Sequence, residues 1–118
     1  QDVCSNIYEK ELFPFDVLIL GMGNDGHTAS LFPNNIKLKE ALETTKGFCI
    51  CMKPDTAPYE RMSLTKTAIL SASNIYLHFE GVEKQNVYKK VLEGANGNDM
   101  PISAILNQDK KKIEVYYK

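Results

Sequence analysis

The stretch Phe15-Asp-Val-Leu-Ile-Leu-Gly-Met-Gly-Asn-Asp-Gly-His-Thr-Ala-Ser-Leu-Phe-Pro33 decides how the chain is read. Its first third, Phe15 to Leu20, is an aliphatic, β-branched run that stops at Gly21, the signature of a strand buried on both faces of a parallel sheet. Gly21-Met-Gly-Asn-Asp-Gly26 then fits G-x-G-x-x-G, which after a strand raises the possibility of a dinucleotide site. Such a site requires a long helix opening at the third glycine and an acidic strand end about 20 residues later. Pro33 interrupts any helix, and Glu40 and Glu43 fall within a helical pattern instead of at a strand end, so the dinucleotide reading is rejected. What remains is a loop whose glycines, Gly21, Gly23 and Gly26, let backbone amides approach an anion or an oxyanion.

Working outward, the segment from His27 is expected to enter a short helix stopped by Pro33-Asn-Asn35, and Ile36 to Thr45 reads as an amphipathic helix. Gly47 to Met52 is a strand candidate, and the proline-bearing stretch Lys53 to Glu60 a loop. Arg61 to Thr65 alternates like a strand, and Lys66 to Ala72 is a short helical segment. Asn74 to Phe79 returns to strand chemistry, Val82 to Leu92 is the strongest helix, Pro101 to Leu106 spans one helical turn or two, and Lys112 to Tyr117 is a final strand. The first dozen residues read as a continuing connection. This alternation argues for an α/β fold with a mostly parallel sheet.

At 118 residues and 43% hydrophobic content the chain can bury one core, so a single domain over 1–118 is expected. A formal net charge of −1 creates no global field for nucleic acid or anionic membrane, and any anion site must be local. No apolar run approaches the roughly 20 residues that span a bilayer, so a cytoplasmic protein is the expectation. Cys4, Cys49 and Cys51 read as reduced thiols. A metal would need more ligands near the close cysteine pair, and neither histidine lies close to it in sequence.

Two side chains stand out on chemical grounds. His27 follows a strand-to-glycine-loop junction, which in an open α/β sheet lies at the carboxyl edge where ligands bind, and imidazole is the side chain best suited to exchange a proton near neutral pH. Lys84 follows the next strand and Gly81, at the start of the strongest helix, and should share that edge. A cation there is unfavourable for the isolated helix but useful for holding phosphate. His78, within a strand, and the run Lys110-Lys-Lys112 carry structural readings.

The run Phe15 to Pro33, above all Leu20-Gly-Met-Gly and Asp25-Gly-His-Thr-Ala-Ser-Leu-Phe-Pro33, resembles the signature of the 6-phosphogluconolactonases. Lys53-Pro54, Pro58, Arg61-Met-Ser-Leu-Thr65, Gly81-x-x-Lys84 and Pro101-Ile-Ser-Ala104 follow in the family's order, so the resemblance covers roughly Phe15 to Leu106. The glucosamine-6-phosphate isomerases share the fold and an Asp-Gly-His loop but continue with Ile-Ala-Phe-Asn-Glu-Pro. Here Thr28-Ala-Ser-Leu-Phe-Pro33 lacks that acidic residue.

The resemblance implies a Rossmann-like three-layer αβα fold, present as a partial domain, and hydrolysis of 6-phosphoglucono-δ-lactone to 6-phosphogluconate without metal or organic cofactor. In that reading His27 is the general base, Asp25 orients it, and Arg61 and Lys84 hold the substrate phosphate. The family's amino-terminal half, with a second glycine-rich phosphate loop, has no counterpart in Gln1 to Pro14. The chain is therefore expected to be the carboxy-terminal half, completed by the other, with little activity alone. The alternatives are an isomerase or deaminase of the same superfamily and a non-catalytic sugar-phosphate-binding module.

Overall fold

The computed structural model describes residues 2–7, 10, 14–53 and 59–118. The aliphatic run Val17–Leu20 forms strand β1. It pairs in parallel with β4 (Asn74–Phe79), which pairs in parallel with β5 (Ile113–Tyr117), giving the order β1-β4-β5. A second, antiparallel pair is built from β2 (Cys49–Met52) and β3 (Arg61–Leu64), with Met52 opposite Arg61 and Cys49 opposite Leu64. The expected α/β class and mostly parallel pairing are realised.

Alternation along the parallel strands divides the sheet into two unlike faces. Leu20, Ile75, Leu77 and Phe79 are buried, and they share one core with Val87 and Val91 of α4 (Val82–Leu92) and Ile102 and Ile105 of α5 (Pro101–Leu106). Each such side chain contributes roughly 1.5–3 kcal/mol by leaving water. A one-residue slip of β4 would exchange Leu77 for His78, so the register is strongly fixed. On the opposite face Val17 and Ile19 are 54% and 70% exposed and Tyr116 56%. The run expected to be buried on both faces is therefore covered on one.

Helix α3 (Lys66–Leu70) starts where Thr65 Oγ1 accepts the amide of Ala68 at 3.2 Å, an ordinary side-chain N-cap. Helix α2 (Leu38–Glu43) buries Leu38 and Ala41 but is shorter than its sequence pattern, and Ile36 is 96% exposed. Asn34 in a left-handed conformation (φ 55°) precedes it, and the Asn35 carboxamide accepts the Lys37 amide and donates to the Lys53 carbonyl, which fixes a turn in place of the first helical residues. The first residues, read as a connection, contain helix α1 (Asp2–Ile7).

The short helix expected from His27 does not form. Ala29 adopts φ 51°, outside the helical range, and Thr28 and Leu31 instead close a tight turn through a 2.9 Å bond from the Leu31 amide to the Thr28 carbonyl. Two contacts outside the turn favour it: Thr28 Oγ1 donates to the Gly21 carbonyl at 2.7 Å, and the Ser30 amide donates to Ser63 Oγ at 3.1 Å. The stretch with Pro54 and Pro58 lies outside the described residues.

Candidate active site

The glycine loop leaves the carboxyl end of β1 and folds back on itself. The amide of Gly23 donates to the His27 carbonyl at 2.9 Å, and the amide of Gly26 donates to the Gly23 carbonyl at 3.0 Å. Both amides are thus spent on the loop's own shape rather than aimed outward at an anion. A Cβ at Gly23 would lie 2.2 Å from Cε1 and 2.3 Å from Nδ1 of His27, so a hydrogen there is what lets the ring rest over the loop. Gly26 has φ 85°, and a Cβ on it would meet Cβ of Met100 at 2.8 Å, while its carbonyl accepts the Ile102 amide at 2.9 Å. That contact docks the loop on the start of α5. Nothing in the structure explains glycine at 21, where a Cβ would enter open space.

His27 and Asp25 are brought together. Nδ1 of His27 lies 2.5 Å from Asp25 Oδ1, which also accepts the His27 amide at 3.0 Å. Partial burial pushes the Asp25 carboxyl pKa up, but the hydrogen bonds from the backbone and ring of His27 and their charge attraction outweigh it, and the net direction is below the usual 3.8. An ionised carboxylate at Nδ1 holds the proton on that nitrogen in neutral imidazole and leaves the Nε2 lone pair free to take another. The side chains are 35% and 53% exposed, so the pair opens to solvent.

Phe32 links this pair to Arg61. Its ring centroid is 5.2 Å from that of His27 and 5.7 Å from the Arg61 guanidinium carbon. Arg61 opens β3, and the bond between Ser63 and the Ser30 amide carries the turn after His27 to that strand. Lys84 stands in the first turn of α4, beside Glu83, whose carboxylate accepts the Asn24 side-chain amide at 2.7 Å. This clasp joins the glycine loop to the start of α4 across the parallel β1–β4 pair. Among the described residues neither Arg61 nor Lys84 forms an ion pair.

His27, Asp25, Arg61 and Lys84 are the residues singled out in the sequence, whereas three groups that connect them in the structure are not. Phe32 lay inside the quoted signature, yet its value is contact geometry that no spacing rule reports. Ser63 and the Asn24–Glu83 clasp depend on how distant segments dock. His78 is exposed, 3.6 Å from Glu80 and on the uncovered sheet face.

A glycine loop carrying a carboxylate-held histidine at the carboxyl edge of a parallel sheet defines an α/β protein with a candidate proton-transfer site. The profile of the family described as glucosamine-6-phosphate isomerases/6-phosphogluconolactonase matches residues 1–115, and the chain belongs to that family. It is 40% identical over 103 residues to a 6-phosphogluconolactonase of Neisseria meningitidis, covering 86% of this chain and 44% of the relative. A Helicobacter pylori 6-phosphogluconolactonase is 41% identical over 99 residues, covering 84% and 42%. The crystal structure of a 6-phosphogluconolactonase from Shewanella baltica superposes with a TM-score of 0.91 at 44% identity, covering 98% of this chain and 49% of that one. The chain thus spans just under half the length of these relatives.

Proposed function

We propose that the polypeptide carrying this sequence hydrolyses 6-phosphoglucono-δ-lactone to 6-phosphogluconate, in the oxidative branch of the pentose phosphate pathway. The observation that carries the reading is the His27–Asp25 pair, held at the carboxyl edge of the sheet in a chain whose relatives bear that enzyme's name. A lactone carbonyl is already electrophilic, so no covalent nucleophile is needed. Nε2 of His27 takes a proton from water as its oxygen attacks the carbonyl carbon, and the tetrahedral oxyanion then collapses. The ring C–O bond breaks, and the imidazolium returns the proton to the leaving ring oxygen. Asp25 keeps the ring oriented and stabilises its cationic form.

Arg61 and Lys84 are the substrate's phosphate ligands in this reading, the first by two-point contact and the second as a point charge. Oxyanion donors, each worth roughly 3 kcal/mol where water is excluded, are to be sought beyond the amides of Gly23 and Gly26. The reading also assigns a cover to the bare sheet face. Parallel sheets are ordinarily buried on both faces, and Val17, Ile19 and Tyr116 form an apolar surface suited to the half of the family fold that this chain does not span. That half would also enclose the open His27–Asp25 pair. A cytoplasmic location belongs to the same proposal; no helix among the described residues is long and apolar enough to cross a membrane.

The test is an assay of the intact polypeptide with freshly generated 6-phosphoglucono-δ-lactone and, separately, with glucosamine 6-phosphate. Acceleration of lactone opening over its spontaneous rate, without release of ammonia from the amino sugar, is the expected result. Ammonia release would favour the deaminase, and sugar-phosphate binding without turnover the silent module.

A further inference from the structure

Away from the site, two reactive side chains meet across the fold. Cys4, on α1, and Cys49, at the start of β2, bring their sulfur atoms to 2.7 Å although 45 positions separate them in sequence. A disulfide bond is roughly 2.05 Å long, so the sulfurs are already within about an ångström of bonding distance. Among the described residues no disulfide is present. Cys49 is buried at 2% exposure, whereas Cys4 is half-buried and offers the approach from solvent. Cys51 shares β2 and is the natural competitor.

We propose that Cys4 and Cys49 are an oxidisable pair, and that a peroxide converts them to an intramolecular disulfide. The deprotonated sulfur of Cys4 attacks the peroxide; the O–O bond breaks, one oxygen stays as the Cys4 sulfenic acid and the other leaves as water after taking up a proton. The Cys49 sulfur then attacks the sulfenic sulfur, the S–S bond forms and the S–O bond breaks. The departing hydroxide takes the Cys49 proton and leaves as a second water. The two sulfurs together lose two electrons, and hydrogen peroxide is reduced to two waters.

The resulting covalent loop encloses β1, the glycine loop with His27, and α2. It ties α1 to β2, whose partner strand β3 begins at Arg61 opposite Met52. Constraining so long a loop chiefly removes freedom from the unfolded chain, so the oxidised form resists unfolding more than the reduced one.

The experiment treats the intact polypeptide under native conditions with hydrogen peroxide, alkylates the remaining thiols, and maps the digest by mass spectrometry. The expected product joins the Cys4 and Cys49 peptides, lighter by two hydrogens than their sum, restored by dithiothreitol and retained in Cys51→Ser. It should be lost when oxidation is done in urea, where only the fold's proximity is removed. Cys4 and Cys49 both recovered alkylated, either recovered as a sulfinic acid, or either joined to another cysteine would overturn the assignment. Because wild-type mapping decides the outcome, the result stands even if Cys51→Ser fails to fold, and it is independent of lactone hydrolysis.

Discussion

Nδ1 of His27 sits 2.5 Å from Oδ1 of Asp25, and the same oxygen accepts the His27 backbone amide at 3.0 Å, so one carboxylate fixes both the ring and the backbone of the candidate base. Asp25→Asn keeps the shape but can present its amide nitrogen to the ring and favour the wrong tautomer. In the intact polypeptide kcat should fall by about tenfold or more with KM nearly unchanged, a loss confined to the chemical step. An unaltered kcat would remove Asp25 from the mechanism.

The same contact has a pH signature. Because the folded state holds the Asp25 pKa below its usual 3.8, the ionised carboxylate stabilises the fold above that value, and the contribution disappears as pH falls through the lowered folded pKa. Denaturant midpoints of wild type and Asp25→Asn should therefore differ at about pH 7, and the difference should shrink as the pH falls below the carboxyl's ordinary range. Asp25 is half exposed, so the difference will be small. A gap that widens on acidification would contradict the assigned direction.

Gly23 and Gly26 should fail in different ways. At Gly23 a methyl group strikes the end of the His27 side chain, so Gly23→Ala is expected to displace the ring, reducing kcat while leaving the thermal midpoint within a few degrees of wild type. At Gly26 the backbone itself is left-handed and Met100 Cα lies 3.0 Å from the added carbon. Gly26→Ala should therefore cost about 1–2 kcal/mol or more in stability. Thermal or denaturant unfolding of both variants, paired with kinetics, separates the two.

Arg61→Ala and Lys84→Ala should each raise KM for the phosphorylated lactone more than they lower kcat, since a phosphate remote from the reacting carbon is bound alike in ground and transition states. Arg61→Lys should restore little of the Arg61 loss, because lysine supplies charge without the planar fork or the stacking on Phe32 at 5.7 Å. Equal KM for all three would dissociate these cations from phosphate.

Much of the fold was legible because local signals and tertiary packing agreed. Asn74–Phe79, Val82–Leu92 and Pro101–Leu106 appear with the expected boundaries, each bounded by glycine, proline or a change of period. The turn after His27 was not legible, since the residues Thr28 to Leu31 have no strong intrinsic stop. The left-handed Ala29 is held by Thr28 to Gly21 and Ser30 to Ser63, and the second of those bonds crosses 33 positions. For the same reason β2 and β3 appear as a separate antiparallel pair: alternation announces a strand but does not name its neighbour. In the site, residue type and position after a strand singled out His27 and Lys84. The spent amides of Gly23 and Gly26 and the Phe32 bridge arise from how the loop folds back and docks, which no local pattern encodes.

The role of His27 is decided by lactone hydrolysis in the intact His27→Ala polypeptide beside wild type, with binding of 6-phosphogluconate followed in parallel. A general base at this position requires kcat to fall roughly 10²–10⁴-fold with product binding retained. Hydrolysis at the wild-type rate in that variant would contradict it.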